Sequence, residues 1–344
     1  MRTRVLIIGC GSIGRRHAVN LRELGVDELF LFDVDVEKSK GLANEVQSAA
    51  VETLEQGYAK EPDAVVICAP TSQHLEFALQ GTEHNCHLFV EKPLSHSIEG
   101  VEELIEEARS RGKTLLVGYN FRFDPLVKQV RAFLNEGQIG RVISARIHSG
   151  CYLPWRHPWE DYRLGYGARR ELGGGVILDA VHELDLALWL FGQPEIVYCE
   201  GGKLSDLEID VEDFAEIILG YPWSVVSIHL DYVQQPAERT FEIIGTQGQI
   251  KADIFKRELR YFDGENRVWD SMQGTGALEE MYKHEMRHFL DCIQGLCMPA
   301  VDGRTATQSL MLAEAAKESM QTELPVRLNE FATKRTLQLR HAHA

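Results

Sequence analysis

The segment HLFVEKPLS, residues 87–95, runs three apolar residues into Glu91, Lys92 and Pro93. Leu88, Phe89 and Val90 read as a buried strand, so Lys92 stands where that strand ends. Pro93 fixes its own φ and biases Lys92 toward an extended backbone, which aims the ammonium at whatever lies beyond the strand. A second chemical set sits in ELGGGVILDAVHELDLALWLFG, where Asp179, His182 and Asp185 recur at i, i+3 and i+6. The apolar positions Val181, Leu184, Leu188 and Phe191 make a core stripe of that helix. A histidine beside a carboxylate can serve as a general base, its pKa set by the acid and by burial. The plainer alternative makes His182 a satisfied polar residue and Asp179 the helix N-cap.

These groups need a scaffold, and the first residues supply one. RVLIIGCGSIGRRHAVNLRELG reads as strand, glycine turn and helix, with Gly9, Gly11 and Gly14 spaced as G-x-G-x-x-G. The first glycine permits the tight turn, the second admits a pyrophosphate, and the third lets helix pack on strand. Phosphate then sits at the helix N-terminus, where unpaired N–H groups and the dipole favour an anion. The strand ELFLFDVD follows and ends at Asp33, placed to accept hydrogen bonds from a ribose 2′-OH and to repel a 2′-phosphate. That favours NAD over NADP, although Asp35 and Lys38 nearby leave NADP open.

The alternation continues through DAVVICAPTSQHLEFALQG, HLFVEKPLSHSIEGVEELIEEARSRG and TLLVGYN. Strands alternating with helices predict a doubly wound parallel sheet, whose ligands bind beyond the carboxyl ends of the strands. Those ends are Gly9, Asp33, Ala69–Pro70–Thr71, Glu91–Lys92–Pro93 and Tyr119–Asn120. Past about residue 122 the pattern turns β-rich, with half-buried alternation in DFAEIILGY and WSVVSIHLDYV. Two helices are predicted near 279–296 and 304–321, then a polar tail, ATKRTLQLRHAHA, expected to fray. The expected fold class is therefore α/β: an N-terminal Rossmann sheet over 1–121, then an α+β domain over 122–344 on an open, mostly antiparallel sheet.

Composition narrows the partners. Lys plus Arg is 36 and Asp plus Glu 52, a net charge of −16, which argues against nucleic acid or an anionic membrane. Seven cysteines without a CxxC pair point to a reduced, cytoplasmic chain. The opening MRTRVLIIGC has too short an apolar run for a signal peptide. HEMRH, residues 284–288, is a literal H-E-x-x-H, but it opens a helix whose apolar face reads as packing, and a third ligand would have to be a distant Glu such as Glu314, which nothing marks. No metal is expected. His148, His229, His341 and His343 are read as structural or surface groups.

Taken together, GCGSIGRRH, APTSQH at 69–74, EKP at 91–93, GGGVILDAVHELD at 173–185 and DGRTATQSLMLAEAAKES at 302–319 resemble the Gfo/Idh/MocA family of glucose–fructose oxidoreductase and inositol dehydrogenase. The resemblance implies a nicotinamide-dependent, NAD(P)-using oxidoreductase acting on a secondary hydroxyl of a sugar, cyclitol or nucleotide sugar. It implies Lys92 beside nicotinamide and substrate, His182 as acid/base, and Asp179 lining the pocket. Family members commonly place the histidine four residues after the aspartate; here the spacing is three. Cofactor contacts implied along the matching segments are Gly9, Gly11, Ser12, Ile13, Gly14, Asp33, Ala69, Pro70, Thr71, His74, Glu91, Lys92 and Asn120. Substrate contacts are expected from Lys92, Asp179, His182 and Arg122. Tyr152, Trp155, Arg163 and Arg169 join them, in a loop whose aromatic faces suit sugar stacking and whose arginines, with Arg156 and Arg170, suit an anion. That loop leans the expectation toward a nucleotide-linked or acidic sugar. A homodimer or homotetramer is expected. The rival reading is a non-catalytic NAD- or sugar-binding sensor of the same fold.

Overall fold

The computed structural model describes residues 3–274 and 276–342. The chain divides into two compact units, Met1–Phe123 with Glu279–Thr307, and Asp124–Leu278 with Gln308–Ala344. The expected division at residue 121/122 thus differs in its second half. The stretch 279–307 belongs with the first unit, because its apolar side chains Met286, Phe289 and Cys292 join that unit's core.

The first unit alternates β1 (Arg4–Ile8), α1 (Ser12–Glu23), β2 (Glu28–Phe32), α2 (Val36–Glu45), β3 (Ala49–Ala50), α3 (Leu54–Tyr58), β4 (Ala64–Ile67), α4 (His74–Glu83), β5 (His87–Glu91), α5 (Val101–Ser110) and β6 (Leu115–Gly118). The strands pair in the order β3-β2-β1-β4-β5-β6, all parallel. This is the doubly wound order with its switch point at β1/β4. Strands buried on both faces read as unbroken apolar runs, and Val5–Ile8 and Ala64–Ile67 are buried throughout. Helix α5 has the local logic of a surface helix. Val101, Leu104, Ile105 and Ala108 form its buried stripe, Glu102 and Glu103 stand in the first turn, and Arg109 in the last.

In the second unit Asp124 caps α6 (Pro125–Asn135), with Pro125 in its first turn. Then come β7 (Val142–Gly150), α7 (Leu153–Arg156), α8 (Val176–Asp179), α9 (Val181–Phe191), β8 (Ile196–Gly202), β9 (Phe214–Gly220), β10 (Val225–Asp231), β11 (Glu238–Gly245), β12 (Gly248–Asp253), β13 (Glu258–Asp263) and β14 (Val268–Gln273). Helix α10 (Glu280–Ile293) returns to the first unit, and α11 (Gly303–Thr322), β15 (Val326–Arg327) and α12 (Leu328–Ala342) end the chain. The nine-stranded sheet runs β14-β13-β12-β11-β7-β10-β9-β8-β15. Its β7–β10 pair is parallel and its other pairs antiparallel. One face carries the alternating buried positions of β9 and β10, with α8 and α9 packed on those strands. The tail expected to fray is helical instead, anchored by buried Leu328 and Phe331 in its first turns. His343 and the side chain of His341 lie outside the described residues. Among the described residues, no helix is long and apolar enough to cross a membrane.

Candidate functional site

In the first unit the predicted cofactor residues gather at the carboxyl ends of the parallel strands. Gly9 closes the turn after β1 at φ +95°, and a Cβ there would meet the Cys68 carbonyl oxygen at 2.6 Å. A Cβ on Gly14 would meet the Gly9 carbonyl oxygen at 1.9 Å, so α1 can approach β1 only through a glycine. Gly11, in contrast, has open space around its Cβ position. It caps α1 without a side-chain hydrogen bond, and no acidic residue stands in the first turn, Ser12, Ile13 and Gly14 included. Exposed N–H groups, a positive helix end and free room fit a pyrophosphate.

Asp33 follows β2. Its Oδ2 accepts the Cys10 N–H at 2.7 Å and its Oδ1 the Asp35 N–H at 2.9 Å, which fixes the carboxylate against the glycine turn. Each oxygen keeps a second lone pair for a ribose hydroxyl. After β6, Asn120 is buried, and among the described residues its Oδ1 meets no hydrogen-bond donor. A buried acceptor of that kind calls for a ligand or a water, and it fits an amide-bearing cofactor. Arg122, two residues on, is buried and donates to the Ala300 carbonyl at 3.4 Å.

His74 joins two loops of this edge. Its Nδ1 lies 2.7 Å from the Pro93 carbonyl oxygen and its Nε2 2.8 Å from that of Ala69, so Ala69–Thr71 and the Lys92–Pro93 segment are held together. Both nitrogens face acceptors, which favours a doubly protonated ring, whereas burial pushes the pKa of His74 down. The short contacts to the Pro93 and Ala69 carbonyls place an N–H on each side of the ring. The Lys92–Pro93 peptide bond is cis.

Beneath Lys92 lies a buried acidic cluster that the sequence did not reveal. Glu91 accepts the Lys92 N–H at 3.2 Å, and its Oε1 is 2.6 Å from Nε2 of His17 on α1. Glu285 of α10 shares this pocket, its ligand atoms within 4.8 Å of the other two residues, and neither of its oxygens meets a donor among the described residues. Burial, then the Glu91 charge, pushes the Glu285 carboxyl well above the usual carboxylate range. A raised folded-state pKa stabilises the fold fully below the unfolded value of about 4.3 and is lost as pH rises through the folded value. Glu285→Gln removes that loss. The expected result is thermal unfolding near the parent's at pH 5 and increasingly above it toward pH 9, read by melts across that range.

These positions also dispose of the H-E-x-x-H motif as one metal face. His284 is exposed, Glu285 is buried against Glu91, and His288 faces Cys292 and Cys297. Glu314 pairs with Arg335 at 3.2 Å.

The second unit builds its own constellation around Asp179. Three glycines precede α8, and a Cβ on Gly174 would meet the Tyr166 carbonyl oxygen at 2.3 Å, so the loop folds back on itself only with glycine there. The fold-back brings Tyr166 within reach of Asp179. Asp179 accepts from the Tyr166 hydroxyl, from Arg156 and, at 3.0 Å, from the Tyr232 hydroxyl. The Asp179 charge holds the Arg156 guanidinium well above its ordinary pKa, and burial does the same for the Tyr232 hydroxyl, which therefore remains a donor. Asp179 ends α8 and is not an N-cap; Ala180 interrupts the helix, and His182 lies buried in the first turn of α9. Asp185, one turn further, accepts from Ser309 at 3.2 Å.

The arginines of the preceding loop are engaged within the chain. Arg163 forks onto Asp161 and reaches Glu208 at 3.0 Å, Arg169 pairs with Glu171 at 2.8 Å, and Arg170 donates to the Asp210 carbonyl at 2.9 Å. Tyr152 and Trp155 meet edge to face at 5.3 Å, and Trp155 remains 61% exposed. Sequence reasoning missed Tyr166 and Tyr232 as anchors of Asp179, and Tyr232 is 53 residues away in the chain. It missed His17 too, although the spacing Gly14–His17 places it one helical turn along α1.

A family model described as an oxidoreductase family with an NAD-binding Rossmann fold matches residues 3–119, and one described as the GFO/IDH/MocA C-terminal domain matches residues 127–251. A myo-inositol 2-dehydrogenase of Thermotoga maritima is 28% identical, covering 95% of this chain and 99% of that protein. A scyllo-inositol 2-dehydrogenase (NAD(+)) of Bacillus subtilis is 26% identical, covering 95% and 96%. A levoglucosan dehydrogenase solved with NADH and levoglucosan superposes with a TM-score of 0.86 at 19% identity, over 95% of this chain and 99% of that one, a likeness in fold.

Proposed function

The chain belongs to the GFO/IDH/MocA oxidoreductase family with its NAD-binding Rossmann domain, and from that premise we propose that it oxidises a secondary hydroxyl of a neutral polyhydroxylated ring, a cyclitol or sugar. The observation that carries this reading is the internal pairing of the arginine-rich loop. Arg156, Arg163 and Arg169 each have a carboxylate partner from this chain, and Arg170 is turned onto the Asp210 main chain. A nucleotide diphosphate or sugar acid would have to displace those partners, whereas a neutral polyol needs only hydrogen-bonding side chains and aromatic faces. The arginine count leans toward a nucleotide-linked or acidic sugar; the internal pairing of those arginines favours the neutral ring. The inositol dehydrogenase relatives agree with that choice.

Bound NAD supplies a hydride acceptor for the carbinol carbon. Lys92, at the carboxyl end of β5, donates a hydrogen bond to the reacting oxygen and stabilises the alkoxide-like charge as hydride leaves. His182 takes the hydroxyl proton. Asp179, fixed as an anion by Arg156, Tyr166 and Tyr232, positions the turn that leads into His182 and offers an acceptor to a neighbouring ring hydroxyl. Ser12 and Ile13 would present main-chain N–H groups to the pyrophosphate, and Asp33 would accept from the adenosine ribose. The protein works in the cytoplasm as a homodimer or homotetramer.

Purified protein with NAD is expected to produce reduced nicotinamide with inositols or neutral sugars and to be far slower with UDP-sugars and sugar acids. The reverse ranking overturns the neutral-ring assignment. Asp33→Asn keeps an acceptor for the Cys10 N–H but discards the charge. It is expected to raise KM for NAD about 10-fold, a loss of about 1.4 kcal/mol, and to narrow the preference over NADP. Comparing kcat/KM for the two cofactors checks this.

A further inference from the structure

We propose that Cys292 and Cys297 form a reversible disulfide, a redox-modification site that the NAD chemistry does not use. Cys292 is buried in the last turn of α10, and Cys297 is half-buried in the loop that follows. Their sulfurs stand 3.5 Å apart. A disulfide needs about 2.05 Å, so closure asks for a shift of about 1.5 Å. The connecting loop can supply it. Gly295, at φ +72°, turns the chain back beneath the helix end, and Leu296 and Met298 are 70% and 84% exposed. The loop therefore lies where a small oxidant can reach it.

His288 sets the order of attack. It lies one turn before Cys292, on the same helix face. The Ala300 N–H donates to its Nε2 at 2.9 Å, so the ring hydrogen is on Nδ1, which faces the Cys297 sulfur at 3.5 Å. Nε2 also lies 3.6 Å from the Cys292 sulfur. Burial and the neighbouring Cys297 push the Cys292 thiol up to about 12, so it keeps its hydrogen. Cys297 thus faces the His288 Nδ1–H and is the more accessible sulfur. It is the attacking group, and Cys292 resolves the product.

With hydrogen peroxide as oxidant, the Cys297 sulfur attacks one peroxide oxygen and the O–O bond breaks. This leaves a sulfenic acid and one water. The Cys292 sulfur then bonds to the Cys297 sulfur and displaces the hydroxyl group as a second water, which carries off the remaining thiol proton. Two thiols lose two electrons in all, and the peroxide gains them. The new bond restrains the loop carrying Ala300, whose carbonyl accepts from Arg122 and whose N–H holds His288.

The test treats the full-length protein with hydrogen peroxide, alkylates it with iodoacetamide and digests it with trypsin without reduction. Peptide 288–304 contains both cysteines. It is expected to lose both alkylations and two hydrogens in mass, and to regain both alkylations after dithiothreitol. Cys292→Ser is expected to stop at a Cys297 sulfenic acid that dimedone traps, and Cys297→Ser to leave Cys292 alkylatable at the same peroxide dose. Two alkylated cysteines after treatment, or oxidation confined to other thiols, overturn the proposal. So does protection of both thiols in untreated protein that a zinc chelator removes, since the cluster would then be a metal site.

Discussion

Replacing Lys92 by methionine is expected to lower kcat by about 10²–10³-fold while leaving NAD affinity essentially unchanged. The size follows from the role proposed for the ammonium: a donor to an oxygen whose charge grows only as hydride departs would, when lost, cost the transition state and not the bound substrate. Methionine keeps the length and apolar stem of the side chain and discards the charge. The backbone should survive the change, because β5 is buried from Leu88 to Glu91 and the Lys92 N–H is held by the Glu91 carboxylate at 3.2 Å. Single-turnover kinetics separate the chemical step from cofactor binding, and fluorescence titration with NADH reads the latter. A variant that loses cofactor affinity but turns over normally when saturated makes Lys92 a cofactor anchor. That result would remove it from the chemistry.

The second large effect is expected at His182. His182→Ala should cost about 10²–10⁴-fold in kcat, the range of a lost general base, and should flatten the acidic limb of the pH–rate profile. Added imidazole should restore part of the rate at the cavity left by the side chain. The substitution removes a buried ring from the first turn of α9, so retained helicity and an unchanged NADH titration serve as fold controls. If the profile keeps its acidic limb at full height, another group takes the proton, and Asp179 would be next in line. The donors already fixed on that carboxylate argue against it, because Arg156 and two hydroxyls make it a poor base.

Local pattern carried most of the fold. Gly9, Gly11 and Gly14 announce the turn because their absent side chains leave a visible mark, and the apolar runs of β1, β4 and β5 announce burial on both faces. The strand-end rule then placed Asp33, Lys92 and Asn120 on one edge without knowledge of any contact. What stayed hidden depends on partners far away in sequence. Nothing near Glu285 says that it will lie beside Glu91, and a carboxylate inside an H-E-x-x-H string invites a metal reading until its burial is known. The return of 279–307 to the first unit is of the same kind, since the periodicity of α10 gives it an apolar face but not the surface that face covers. Four arginines in one loop were legible as charge, yet the pairing of Arg156, Arg163 and Arg169 with Asp161, Glu171, Asp179 and Glu208, and the turn of Arg170 onto the Asp210 main chain, belong to the folded chain alone. The tail beyond residue 331 looked polar because the residues that dock it, Leu328 and Phe331, precede it.

The central claim is direct hydride transfer from a ring carbinol to NAD, and isotope transfer tests it without assuming any residue's role. The polyol that scores best in the absorbance panel would be labelled with deuterium at its carbinol carbon and turned over once with stoichiometric NAD. The nicotinamide C4 would then be examined by NMR. One deuterium at C4, on a single face of the ring, is the result this account predicts. Undeuterated reduced cofactor, or tight NAD binding with no transfer from any ring alcohol, would contradict it and leave a protein that binds the cofactor without using it.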